Sequence, residues 1–215
     1  MNDPVLSSLR TYWERLRAGR IAPYRAEIDP RQFEGALETM FIVERVAPGN
    51  LRIRLAGMRI CEMMGMEARG LEAGHLVEAA DRLRFERLLA VAMSEPAVVE
   101  LRLLVEARAP RTRAAMLLMP LRNDFGEVNR VLGCVSAPAE IQAPPLALRI
   151  EEATISPIET APAGAEARQP LPGFAEEPAT FAAPAAPQLR AIEGNPDAPA
   201  RPRSGAHGLR IVDGK

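Results

Sequence analysis

Few residues in this 215-residue chain carry chemistry of their own, and their spacing limits what they can do. Of two histidines, His75 follows Gly74 in a glycine-punctuated stretch. A neutral imidazole is the commonest metal ligand, yet no second ligand stands at a telling distance from His75, so it reads as a loop or helix-entry residue. The two cysteines, Cys61 and Cys134, are far apart and lack any CxxC or Cys/His spacing. They read as small buried hydrophobes. An enzyme would need a nucleophile with a base, a metal cluster or a phosphate loop. The chain contains no HExxH, GxxxxGK[ST] or GxSxG string, and glycines 57, 65, 70 and 74 make no dinucleotide fingerprint. The expectation is a protein without catalysis and without a bound metal. One charged pattern stands out. Arg52 and Arg54 alternate with Leu51, Ile53 and Leu55, which puts both arginines on one face of a strand. They form a solvated face, or Arg54 pairs with Asp29 or Glu27 as a fork that latches the N-terminal segment to the core.

Charge and composition narrow the partners. The net charge is −1 and the basic residues are almost all arginines scattered along the chain, with Lys215 the sole lysine. That pattern makes no phosphate-binding stripe for nucleic acid and fits a GC-rich bacterial genome. No stretch approaches the roughly 18 apolar residues of a membrane span, and the N-terminus lacks a basic and apolar leader. A cytoplasmic protein is expected. Only 4% of residues are aromatic, yet both tyrosines and the one tryptophan fall between Tyr12 and Tyr24. A ring with a polar tip marks a packed but partly wet surface, so this segment is either a lid on a core or a partner contact.

The elements that must position these residues follow from periodicity. Asp3 and Pro4 are a cap and first helical residue; Val5, Leu6, Leu9, Trp13 and Leu16 then share one face until Gly19. A stretch through Pro23 and Pro30 leads to an apolar segment over 37–46, the Ala47-Pro48-Gly49-Asn50 turn and the strand over 51–55. Residues 58–95 read as short helices punctuated by Gly65, Gly70 and Gly74, the longest over 79–93 with Phe85, Leu88, Leu89 and Ala92 on one face. Residues 98–106, 112–121 and 128–136 read as strands joined by turns. The sum is an α+β domain: a five-stranded antiparallel sheet with short helices on one face and an amphipathic flanking helix. Beyond Pro138 lie twelve of the twenty prolines, and Ala/Pro runs bury too little area to repay ordering. The expected division is a flanking helix and linker over 1–30, the domain over 31–138 and a disordered tail over 139–215. Three Leu-Arg-apolar-acidic islands at 148–151, 189–194 and 209–214 are either docking motifs or chance.

Several strings in this order resemble the PAS domain. Tyr12-Trp13 with Leu16-Arg17 and Gly19-Arg20, then Pro23, Arg25 and Ile28-Asp29-Pro30, followed by Arg54-Leu55-Ala56-Gly57, Gly65 and Arg69-Gly70, resemble a group of short bacterial PAS-like proteins with an N-terminal Tyr-Trp helix. The hairpin at Pro120-Leu121-Arg122-Asn123-Asp124-Phe125-Gly126 is similar to the last PAS turn. The resemblance implies a sensory or regulatory module in signal transduction that dimerises or docks to a signalling partner. Its alternative implication is a receptor holding a small molecule between sheet and helices. Met58, Met64, His75, Phe85 and Met116 are then the candidate pocket wall. Within that comparison His75 makes a poor haem ligand, and Cys61, in Arg-Ile-Cys-Glu-Met-Met, lacks the surroundings of a flavin-photosensor cysteine. Haem and flavin are therefore not expected. Leu9, Trp13 and Leu16 are the candidates for helix packing or an interface, with a homodimer expected.

Overall fold

A computed structural model describes residues 3–106, 112–137 and 145–160, all within the unit Met1–Arg168. The first helix begins where its cap stands. Asp3 Oδ1 accepts the Leu6 N–H at 3.0 Å and Pro4, which has no N–H to leave unsatisfied, opens α1 (Pro4–Arg17). Single 3-10 turns at Arg25–Glu27, Pro30–Gln32 and Glu34–Ala36 follow, and then the hairpin of β1 (Met40–Ala47) and β2 (Asn50–Ala56). Gly49, at φ 72°, supplies the left-handed residue of that turn. Next come α2 (Met58–Met64), two further 3-10 turns, α3 (Arg82–Ser94), and β3 (Ala97–Glu106), β4 (Thr112–Arg122), β5 (Val128–Ser136) and β6 (Ala147–Pro157). The strands lie where the alternation places them to within a few residues, except β6.

All pairings are antiparallel, in the order β2-β1-β5-β4-β3-β6. The sheet is covered on both sides. Alternation sends Met116 and Leu118 of β4, Val131 and Val135 of β5, and Phe41 and Val43 of β1 into a core shared with α2 and α3. Their neighbours Leu117, Met119, Leu121, Leu132, Cys134, Met40 and Ile42 enter a second core under α1 and residues 22–36. This double burial explains why β4 and β5 read as unbroken apolar runs rather than as alternating strands. At Gly133 the sheet has no room for a side chain: Phe41 lies opposite in the ladder and its ring occupies the space where a Cβ would project.

The sixth strand corrects the expected sheet and the start of the tail. Residues 147–157 pair with the whole length of β3, with a bulge at Glu151 between the Leu103–Ile150 and Arg102–Glu152 pairs. Leu148 and Ile150 are buried against the α3-side core, and the strand is tied to the helical layer as well. Glu78 N–H donates to Leu148 O (2.9 Å), Arg84 Nη1 to Ile150 O (2.9 Å), and Ile150 N–H to Asp81 Oδ2 (2.8 Å). The first Leu-Arg island is therefore a strand end, whose leucine and isoleucine are core residues separated by an exposed arginine. The other two islands lie outside the described residues. Proline content misled here because the prolines nearest β6, Pro145 and Pro157, sit at its margins, where a missing donor costs little.

Candidate functional site

The candidates from the sequence fall in two layers: the interior between the sheet and α2/α3, and the opposite face under α1. The interior is packed. A cavity of about 10 Å³ remains among Ile60, Met63, Met64, Leu76, Val135, Leu146 and Leu148, which is at most the room of one water. Phe85 and Met116 are fully buried in this core and Met64 packs against it. Two expected wall residues are not part of it. Met58, the first residue of α2, is 65% exposed, and His75 projects to solvent with Nδ1 3.2 Å from Glu72 O. Both follow from α2 and the 73–76 turn being short: each buries one side only, and Ile60, Met63, Ala73 and Leu76 take the inward positions. Among the described residues no three His, Cys, Asp or Glu side chains converge as a metal would require.

The outer face is built by the aromatic cluster, each ring fastening a different piece of chain. Trp13 is fully buried and its indole Nε1–H donates to Pro120 O at 3.0 Å. β3 pairs with β4 only as far as Leu118, so Pro120 stands past the last β3 partner. Its carbonyl accepts the indole N–H there. Leu9 is buried beside Trp13, while Leu16 packs at the margin of the same core. Tyr12 Oη accepts the Asp29 N–H at 2.8 Å, and its ring leans on Phe33 with centroids 5.1 Å apart. The Tyr24 ring carries the guanidinium groups of Arg20 (5.7 Å to its centroid) and Arg122 (4.6 Å), contacts that suit a planar cation over a ring. Arg122 N–H also donates to Pro23 O (2.9 Å). The exposed face of α1, which carries Ser7, Ser8, Thr11 and Arg15, is polar; its apolar stripe is spent on the sheet.

The expected latch is not formed. Arg54 pairs with Glu44, which also takes Arg130 Nη2 at 3.0 Å and Nε at 3.2 Å. Asp29 caps its own turn and pairs with Arg31 (3.0 Å), whose hydrogen bonds hold its carboxyl below the usual range. Glu27 accepts the Tyr24 N–H (2.7 Å) and both oxygens meet Arg20 Nη2 at 3.0 Å. Burial pulls the Glu27 carboxyl upward, but the Tyr24 N–H and Arg20 outweigh it and the net shift is down. Cross-strand neighbours win over the latch because Glu44 stands on the adjacent strand, facing the same way as Arg54 and opposite Arg130. The N-terminal segment is fastened by an uncharged bond at Tyr12, by cation stacking at Tyr24 and by the ion pair of Arg10 with Glu100 on β3; the rare aromatics mark the region, but their partners lie far off in sequence.

The hairpin between β4 and β5 is the other notable surface. Asn123, a buried polar side chain, accepts the N–H groups of Phe125 (3.0 Å) and Glu127 (2.9 Å), and Gly126 at φ 86° completes the turn. This frame holds Phe125 outward, 91% exposed.

A family model described as PAS domain matches residues 1–136. No curated protein sequence matches the chain. Among solved structures, the PAS domain of Bordetella pertussis BvgS is similar at 14% identity and TM-score 0.40, covering 49% of this chain and 80% of that one. A Rhodobacter sphaeroides LOV protein is similar at 15% identity and TM-score 0.38, covering 54% of this chain and 71% of that one. Among the described residues no helix is long and apolar enough to cross a membrane.

Proposed function

Because the chain belongs to the PAS-domain family, we propose that this sensory or regulatory module works by protein contact, without catalysis, in a bacterial signalling pathway of the cytoplasm. The packing of the interior supports the reading: the cavity among Met63, Met64, Leu148 and their neighbours holds about 10 Å³, and a small-molecule pocket of the usual ~300–1,000 Å³ at that place would have to be made by displacing those three side chains. The rival reading, a receptor with ligand or cofactor at Met64, Phe85 and Met116, bears that cost. The contact residue is Phe125. A large ring held on a rigid turn loses little side-chain freedom on binding, which is what an interface anchor needs. Its partner on this reading is a second copy of the chain.

Native mass spectrometry and sedimentation velocity on the full chain test both halves. The expected result is a bare-chain mass and a dimer that Phe125→Ala weakens without lowering the melting temperature. A stoichiometric small molecule retained in the native mass would overturn the packed-interior reading. A monomer at tens of micromolar, or a dimer indifferent to Phe125→Ala, would overturn the contact.

A further inference from the structure

A second concavity, on the outer face of the sheet and separate from the PAS interior, has a charge unlike the rest of the chain. It encloses about 460 Å³ and is lined by Arg25, Ile42, Glu44, Arg54, Leu55, Arg69 and Arg130. Four guanidinium groups face one carboxylate, an excess of three positive charges in a protein whose net charge is −1. Arg54 and Arg130 are held by Glu44, on which both converge. Burial works against the Glu44 charge, but its two arginines prevail and keep the carboxyl ionised below the usual range. Arg25 and Arg69 have no side-chain hydrogen bond or ion pair among the described residues.

The two unpaired arginines are nevertheless held in place by their backbones. Arg25 opens a turn closed by Glu27 on the Tyr24 N–H, and Tyr24 is pinned by the Arg122 stack. Arg69 rides on a loop laid along the β2 edge, where Gly70 N–H donates to Ile53 O (2.7 Å) and Ile53 N–H to Leu71 O (2.9 Å). Buried Ile42 and exposed Leu55, opposite each other in the ladder, add an apolar wall. We propose that this groove binds a small organic anion carrying phosphate or carboxylate groups. Guanidinium forks match both groups bidentately, a concave site focuses their field, and the volume is that of a small-molecule site rather than a macromolecular surface.

The probes are inorganic pyrophosphate and citrate, titrated calorimetrically into the full chain at low ionic strength. At least one binds saturably, and the tighter of the two identifies the ligand as phosphate- or carboxylate-bearing. The variant Arg25→Ala/Arg69→Ala weakens that binding about tenfold or more, as loss of charge-assisted bonds should. It melts like the wild type, since neither side chain bonds within the fold. Arg82→Ala/Arg87→Ala, the same charge change on exposed residues of α3, across the sheet from the groove, leaves affinity within about twofold, because exposed distant charges are screened. Binding of neither anion would overturn the proposal, even if an acidic peptide binds. So would equal weakening in the two double variants.

Discussion

Ile150 and Glu151 are neighbours in β6 with opposite fates, and substituting each by alanine isolates what the sixth strand contributes. Ile150 is 4% exposed and sits in the core with Leu148, Leu101 and Leu103, while Glu151 is the exposed bulge residue. Truncating a buried isoleucine to alanine costs about 2–5 kcal/mol, depending on how far the site collapses. The site collapses poorly here, because Arg84 and Asp81 fix the Ile150 backbone to the start of α3, so a value in the upper half of that range is expected. An exposed substitution such as Glu151→Ala stays within about 0.5 kcal/mol. Urea unfolding followed by far-ultraviolet circular dichroism reads both, with an unchanged m-value as the check that stability alone has moved. If Ile150→Ala unfolds within about 0.5 kcal/mol of the wild type, β6 is not part of the folded core and the six-stranded sheet is wrong. The double variant Leu148→Ala/Ile150→Ala approaches the whole stability of about 5–15 kcal/mol expected of a domain, but two residues of one cluster do not add.

Trp13→Ala costs about 3–5 kcal/mol and Trp13→Phe about 1–3 kcal/mol, the latter because the Pro120 carbonyl loses its buried donor; equal stabilities for wild type and Trp13→Phe in urea would refute the indole bond. Glu44 and Glu27 have folded pKa values below the ordinary ~4.3, so their stabilisation is complete above that value and is lost as pH falls through the folded pKa. Glu44→Gln therefore shows a shallower fall of melting temperature below about pH 4.3, and an acid limb as steep as the wild type's would contradict the pairing. Burial pushes the Cys134 thiol up to about 11, with Thr39 opposing and Asp3 adding to it. At pH 8 a thiol reagent should titrate the half-exposed Cys61 in the native protein and Cys134 only after unfolding; prompt reaction of both would place Cys134 wrongly.

The elements that could be read from sequence are those whose signal is local. Asp3-Pro4 and the 3.6-residue stripe of α1 need no tertiary information, nor does the Pro48-Gly49 turn. The misreadings come from partners distant in sequence. β6 has an alternating stripe of only Leu148 and Ile150, and its assignment rests on β3, forty to fifty residues earlier in the chain by the pairs Leu103–Ile150 and Val105–Leu148. Position along the chain alone puts Met58 and His75 near the pocket, whereas the facing of a one- or two-turn helix is set by which of its residues the core admits. The bulge in the β1–β2 ladder puts Leu55 beside Arg54 in the groove rather than opposite it, and the partner of Arg54 is a cross-strand glutamate. Only register, not spacing, brings Glu44 to Arg54 and Arg130.

Register also determines what the outer face can transmit. Arg54 and Arg130 stand on strands that Glu44 already couples, whereas Arg25 belongs to the segment held by Tyr24 and Arg69 to the loop along β2. These last two are joined to each other by no side-chain bond. An anion in the groove, as proposed, would bridge them, and binding to the folded chain alone stabilises it in proportion to the logarithm of ligand concentration. The gain would fall on the weakest joints, the 20–37 segment and the 65–72 loop, because the sheet between them is already paired along its length. Hydrogen exchange with pyrophosphate should therefore slow at Tyr24–Ile28 and Arg69–Leu71 and leave the β4–β5 ladder unchanged. Uniform slowing across the sheet would mean that the anion acts on global stability and that the groove joins nothing.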